Sequence, residues 1–133
     1  MEFIKGFTFR LNKSKTHEFY SKETIASLRT LKDSTSMDTV IIAIGALQDH
    51  PHSESIDYIG AHMPRDEELE LIISEAKDMD LRVVLKPMLN CRNDVWRAHI
   101  NFFDLEVPCE PKWSNWFASY QAYLLHYAKL ANK

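Results

Sequence analysis

The chain has 133 residues, of which 45% are hydrophobic and 11% aromatic, and its formal net charge is -3. This length suits one domain, and the composition is that of a globular protein with a core. The negative charge, with no basic run, argues against nucleic acid or an anionic membrane surface as a partner. We therefore expect a single domain over residues 1–133 with neither kind of partner.

Membrane and export signals are missing from the sequence pattern. No stretch approaches the roughly 18 apolar residues of a membrane helix, and the first residues lack the basic and apolar regions of a signal peptide. These features predict a cytoplasmic protein in which Cys91 and Cys109 stay reduced. Two cysteines without a close cysteine or paired histidine partner do not form a zinc pattern.

Three segments in chain order have the composition of β-strands. Phe3 to Phe9 is aromatic-rich, and Thr39 to Ile44 is continuously apolar and β-branched, as in a strand buried on both faces of a parallel sheet. Arg82 to Lys86 is the third, and it follows a tight turn at Asp80.

Each predicted strand is followed by a predicted helix. The first covers Lys22 to Asp33 with Ser21 as its N-cap, and the second has Pro64 in its first turn. Ser114 can cap the third. Its apolar residues recur at the helical spacing typical of a core-facing stripe: Trp116, Phe117, Tyr120, Tyr123, Leu124, Tyr127 and Ala128.

The strand–helix pattern, repeated three times, predicts an α/β fold with a parallel sheet and right-handed crossovers. Strand-to-helix connections are long and helix-to-strand connections short, so the ligand-binding face should lie at the carboxyl ends of the strands. A closed eight-unit barrel takes about 250 residues, and this chain supplies three units. Strand order 1-2-3 would leave one sheet face bare, whereas a flavodoxin-like order 2-1-3 would cover both. The pattern leaves both orders open.

The long connection after the third strand concentrates groups that hold sugars: Asn90, Arg92, Trp96, Arg97 and His99. Indole stacks on the apolar face of a pyranose ring, while amide and guanidinium groups donate to hydroxyls. In the structural alternative, Trp96 caps the end of the fold and Arg97 pairs with Asp94 or Glu106. Lys86, directly after an apolar strand, suits substrate binding or a structural ion pair equally well.

Two other groups of residues are weaker candidates for a functional site. His50 and His52 flank Pro51 without a third ligand at a recognised spacing, so we expect a solvated loop and no metal site. The connection after the third strand (the third loop) also holds four carboxylates: Asp94, Asp104, Glu106 and Glu110. A glycosidase pair requires a separation of about 5–5.5 Å or about 6.5–9.5 Å, which spacing within a loop does not define.

Several stretches carry a family resemblance: Lys5 to Phe9, Leu85-Lys86-Pro87 with Asn90, Trp96 to Phe103, Cys109 to Trp113, Trp116 to Tyr120 and His126 to Ala128. Together they resemble glycoside hydrolase family 113, over nearly the whole chain. The resemblance implies a (β/α)8 barrel with strands in order 1-2-3, and retaining hydrolysis of β-1,4-mannan without a metal or cofactor. It also implies sugar contacts by Lys86, Asn90, Arg92, Trp96 and Arg97.

The same resemblance implies that no residue of this chain is catalytic. In the clan, the general acid/base glutamate follows the fourth strand and the nucleophile ends the seventh, so both are expected beyond Lys133. The expected function is therefore an N-terminal portion of a mannan-hydrolysing barrel, inactive alone. Three alternatives stay open: half of a two-chain barrel or a self-associating chain, a carbohydrate-binding protein without catalysis, and a truncated product.

Overall fold

Three strands and three α-helices alternate along the part of the chain that the structure describes. The structure is a computed structural model that describes residues 3–102 and 112–133. The elements, in chain order, are β1 (Gly6–Arg10), α1 (Lys22–Thr35), β2 (Thr39–Gln48), α2 (Asp66–Asp78), β3 (Arg82–Cys91), a 3-10 turn (Arg97–His99) and α3 (Lys112–Ala131).

The three strands form one sheet in the order β1-β2-β3. β1 pairs with β2 in parallel, with Gly6 opposite Thr39 and Arg10 opposite Ala43. The order expected from the family resemblance is therefore confirmed, and the flavodoxin-like order 2-1-3 is wrong.

The chain divides into two compact units. Among the described residues, unit 1 runs to Ile44 and then from Pro64 to Lys86, whereas unit 2 contains Gly45–Met63 and continues from Pro87. The carboxyl-terminal residues of β2 and β3 both belong to unit 2, as do the long connections that follow these strands.

The core of unit 1 is built from one face of β2 and the apolar stripes of two helices. Val40 and Ile42 of β2 are fully buried, as are Leu28 of α1 and Leu69 and Ile72 of α2. Side chains alternate between the faces of a strand, so residues 40 and 42 share a face. Ile41 and Ala43 on the other face are half-buried, so among the described residues the expected burial of β2 on both faces is complete on one face only.

In unit 1, the sequence predicted the N-cap of α1 correctly but not the start of α2. The Thr24 N–H donates to Ser21 Oγ at 3.1 Å, which confirms Ser21 as the N-cap of α1. α2 begins at Asp66 with Arg65 as its N-cap, and the Arg65 N–H donates to Glu68 Oε2 at 3.1 Å. Pro64 therefore lies before the helix, and its expected place in the first turn is wrong.

The strands differ in length from the sequence prediction. β1 begins at Gly6 and not at Phe3, and β2 continues past Ile44 to Gln48. β3 continues past Lys86 to Cys91 and includes Pro87, which lacks an N–H group for the strand ladder. Asn90 consequently lies on a regular strand and not in a loop.

In unit 2, α3 contributes three buried side chains to the core, those of Tyr123, Tyr127 and Leu130. Tyr123 and Tyr127 are 0% and 2% exposed, which confirms the core-facing aromatic stripe at these positions. Phe117 is 57% exposed and Leu124 37%, so the stripe does not extend to them. α3 begins at Lys112, two residues before the expected cap Ser114.

Tyr123 is tied to the sheet as well as buried. Its hydroxyl donates to the Met88 carbonyl of β3 at 3.0 Å, and burial raises the pKa of this phenol to about 12. None of the described helices combines the length and the apolar character needed to cross a membrane.

Candidate functional site

Arg92 joins the connection after β2 to the end of β3. Its Nε donates to Asp49 Oδ1 at 2.9 Å and its Nη2 donates to Asp57 Oδ2 at 2.8 Å. Its backbone N–H donates to the Gln48 carbonyl at 2.9 Å. Arg92, predicted as a sugar contact, thus holds the connection after β2 (the second loop, residues 49–65) against the end of β3.

The Asp57 carboxylate organises the second loop around this contact. Asp57 and Leu47 form an antiparallel bridge, and Asp57 Oδ1 accepts from the Gly60 N–H at 3.0 Å and the Ile59 N–H at 3.3 Å. Burial opposes ionisation, but these two N–H groups, with nearby positive charge from His62 and Arg92, outweigh it and lower the pKa of Asp57. The loop is therefore built on an ionised carboxylate.

Asn90 and Arg97, two of the predicted sugar contacts, are hydrogen-bonded to each other. Arg97 Nη1 donates to Asn90 Oδ1 at 3.3 Å. A guanidinium group has only donors, so the amide oxygen must face Arg97 and the amide nitrogen must face the other way. Arg97 is exposed and Asn90 half-buried, so the pair is open to a ligand on one side.

Trp96 presents an open aromatic surface next to this pair in the chain. Its side chain is 68% exposed, and the His99 ring meets it edge-on, with centroids 6.0 Å apart and an interplanar angle of 82°. An edge-on neighbour leaves indole surface free to stack on a sugar ring. This exposure argues against the alternative in which Trp96 caps the fold.

Lys86, the remaining predicted sugar contact, is an exposed residue of unit 1, and its contact with sugar stays a prediction. The alternative ion pair of Arg97 with Asp94 does not form, since Arg97 contacts Asn90 instead. Glu106, its other expected partner, lies outside the described residues, as do Asp104, Glu110 and Cys109.

Cys91 is buried, and burial raises the pKa of its thiol.

Sequence reasoning missed the buried amide at the end of β2. Gln48 is 1% exposed, accepts from Trp116 Nε1 at 3.0 Å and donates to the His50 carbonyl at 2.8 Å. The side chain therefore links β2, the second loop and α3. The only signal in the sequence is a polar residue ending an apolar run, which also fits an ordinary strand end.

The described histidines do not build a metal centre. No group of three or more His, Cys, Asp or Glu side chains suited to a metal ion occurs within residues 3–102 and 112–133. His52 Nδ1 lies 2.7 Å from the Asn101 carbonyl oxygen, which links the second and third loops.

Comparisons with known proteins agree with this geometry. The model of glycoside hydrolase family 113 matches residues 7–133. Two solved structures of a family-113 β-1,4-mannanase, one of them a complex, share 50% identity with the chain at a TM-score of 0.86. The chain aligns over 98% of its own length and spans 42% of theirs.

A third solved structure is more distant in sequence. It is the family-113 β-mannanase of Alicyclobacillus acidocaldarius in complex with ManMIm, with 32% identity and a TM-score of 0.83. The alignment covers 98% of this chain and 41% of that one. No curated protein sequence matches the chain significantly. The family match over most of the chain, with the three-stranded α/β fold, shows that the chain belongs to glycoside hydrolase family 113.

Proposed function

We propose that the chain forms the first three βα units of a barrel that hydrolyses β-1,4-mannan, and that its role is to hold the sugar chain. The observation that carries this proposal is the exposed Trp96 with the Asn90–Arg97 pair, at the end of β3. Sugars bind parallel α/β folds at this end of the strands. The 50% identity to a solved β-1,4-mannanase supports mannan as the substrate class.

The chemistry of the site suits a neutral polysaccharide. The Trp96 indole offers an apolar face to a pyranose ring, while Asn90 and Arg97 offer N–H donors to its hydroxyl groups. Two N–H groups of Arg92 donate to Asp49 and Asp57, so the main contribution of Arg92 is to fix the second loop. Lys86, exposed in unit 1, is proposed as a further sugar contact.

Hydrolysis needs a proton donor, and Asp57, the described carboxylate that Arg92 contacts, is poorly suited to that role. A glycosidase general acid requires a raised carboxyl pKa, whereas the pKa of Asp57 is lowered. We therefore propose that the general acid/base and the nucleophile come from other βα units, and that the 133 residues alone bind mannan without cleaving it.

The test is a titration of the isolated chain with mannohexaose, followed by calorimetry and by tryptophan fluorescence. We expect saturable binding and no reducing sugar released from mannan. Trp96→Ala should abolish binding, whereas Phe117→Ala, which removes another exposed aromatic side chain of unit 2, should leave it unchanged. Equal loss in both variants, or no binding by the unmodified chain, would contradict the sugar-binding role.

A two-chain barrel is the second candidate, and the surface near β1 favours it. Phe3 is 79% exposed, Ile4 52% and Phe7 44%. Contiguous exposed apolar residues beside a strand with a free edge are typical of an interface. Co-expression with the complementary portion of the 50%-identical mannanase tests this candidate. A soluble complex with mannanase activity would support it, and separate elution in size-exclusion chromatography would reject it.

A further inference from the structure

We propose that Gly45 keeps open a slot beside Asn90 that receives one hydroxyl group of the bound sugar, so that Gly45 determines which sugar ring the site accepts. This inference rests on the sugar-binding role proposed above and adds a residue to it. Gly45 lies near the carboxyl end of β2, and Asn90 near the carboxyl end of β3, within unit 2.

The slot is defined by what a side chain at position 45 would meet. A Cβ atom placed on Gly45 would lie 3.5 Å from Asn90 Nδ2. Apart from the flanking residues, no other atom of the described chain lies within 4 Å of that position. As far as the described residues go, the space beside the amide is therefore unfilled, and one polar group borders it.

The backbone gives no reason for a glycine here. Gly45 lies within a regular strand, and none of the described glycines has a positive φ. Glycine in a strand interior costs stability because it loses more conformational freedom than other residues and has no side chain to pack. A glycine that neither a turn nor a crowded contact requires indicates that the empty space itself is used.

The orientation of Asn90 sets the chemistry of the slot. Arg97 holds the amide oxygen through the 3.3 Å hydrogen bond, so the amide nitrogen faces Gly45 with its N–H donors. Donors select an acceptor oxygen and disfavour a cation. A sugar hydroxyl supplies such an oxygen and can donate its own proton elsewhere.

The dimensions fit one hydroxyl group. An oxygen accepting from Nδ2 lies about 2.9 Å from it, and the methyl group of an alanine at position 45 would lie 3.5 Å from the same atom. The two groups compete for one space. Gly45→Ala should thus exclude the hydroxyl without disturbing the fold, because 3.5 Å is ordinary van der Waals contact.

Gly6 offers a matched control in β1. A Cβ atom on Gly6 would also have its nearest contact at 3.5 Å, but with the apolar Ile41 side chain. Both substitutions add one methyl group to a strand glycine. Titration with mannohexaose should show at least a ten-fold weaker affinity for Gly45→Ala and an unchanged affinity for Gly6→Ala. Neither variant should unfold at a lower temperature than the unmodified chain.

A second measurement follows Asn90 directly. The side-chain amide signals of Asn90 in a ¹H–¹⁵N spectrum should shift with sugar in the unmodified chain and stay fixed in Gly45→Ala. If the unmodified chain binds no sugar, the proposed function fails and the slot fails with it. If it binds and Gly45→Ala binds equally well, the function stands and the slot is wrong. Unfolding of Gly45→Ala, or equal loss in Gly6→Ala, would also overturn the slot.

Discussion

Replacing Gln48 with leucine should destabilise unit 2, because this amide satisfies two polar groups at once. Trp116 Nε1 donates to Gln48 Oε1 at 3.0 Å, and Gln48 Nε2 donates to the His50 carbonyl at 2.8 Å. Leucine has a similar volume but no hydrogen-bonding atom. The His50 carbonyl belongs to an exposed residue and can rehydrate, whereas the half-buried indole N–H of Trp116 loses its partner.

The expected loss of stability follows from this difference between the His50 carbonyl and the Trp116 indole N–H. An unsatisfied buried donor costs about 1–3 kcal/mol, and rehydration of the carbonyl recovers most of the second loss, so we expect about 2 kcal/mol for Gln48→Leu. For a chain of this size, that corresponds to a fall in Tm of roughly 8 °C. Urea unfolding followed by far-ultraviolet circular dichroism measures the free energy without depending on Trp116 fluorescence.

A double-mutant cycle tests whether the lost free energy of unfolding comes from the hydrogen bond between Gln48 and Trp116. In Trp116→Phe the donor is absent, so adding Gln48→Leu should cost at least 1 kcal/mol less than it does in the unmodified chain, since residues that share a hydrogen bond are coupled. A cost below about 0.5 kcal/mol for Gln48→Leu, the level of a neutral surface change, would refute the reasoning. Strictly additive effects would refute the proposed link between β2 and α3.

Three further predictions concern the cores and the second loop. Leu28→Ala, at a fully buried position, should lower the free energy of unfolding by about 2–5 kcal/mol, with the exposed Arg29→Ala as the unchanged control in urea titrations. Gly60→Ala should unfold at a lower temperature, because its Cβ would lie 2.8 Å from both Asp57 Oδ2 and His62 Nδ1. The Asp57 carboxyl has a pKa below its ordinary 3.8, so its stabilising effect should be complete above that pH and disappear as the pH falls through the folded pKa. Urea titrations from pH 7 to pH 2 should therefore show a stability difference from Asp57→Asn that shrinks with acidification, and a constant difference would contradict this assignment.

The sequence predicted which types of side chain form the candidate site, but it did not predict most of the contacts that hold them. Asn90, Trp96 and Arg97 were identified because amide, indole and guanidinium groups are the usual sugar-binding side chains, and Arg97 does contact Asn90. The sequence contained no sign that Arg92 pairs with Asp49 and Asp57, which precede it by 43 and 35 residues. Contacts over such separations depend on how the strands align, which local patterns do not encode.

The order of helices and strands was set by the sequence alone, because hydrophobic periodicity and helix caps act over a few residues. The continuous apolar run predicted β2, and the serine before α1 predicted its N-cap, since both signals are local. The tertiary structure decided where the strands end. β3 lies beside β2 in the sheet and continues through Pro87 to Cys91, although proline lacks an N–H group for the strand ladder and asparagine is depleted in strands. That extension places Asn90 on a strand beside Gly45, and so the slot between them exists only in the folded protein.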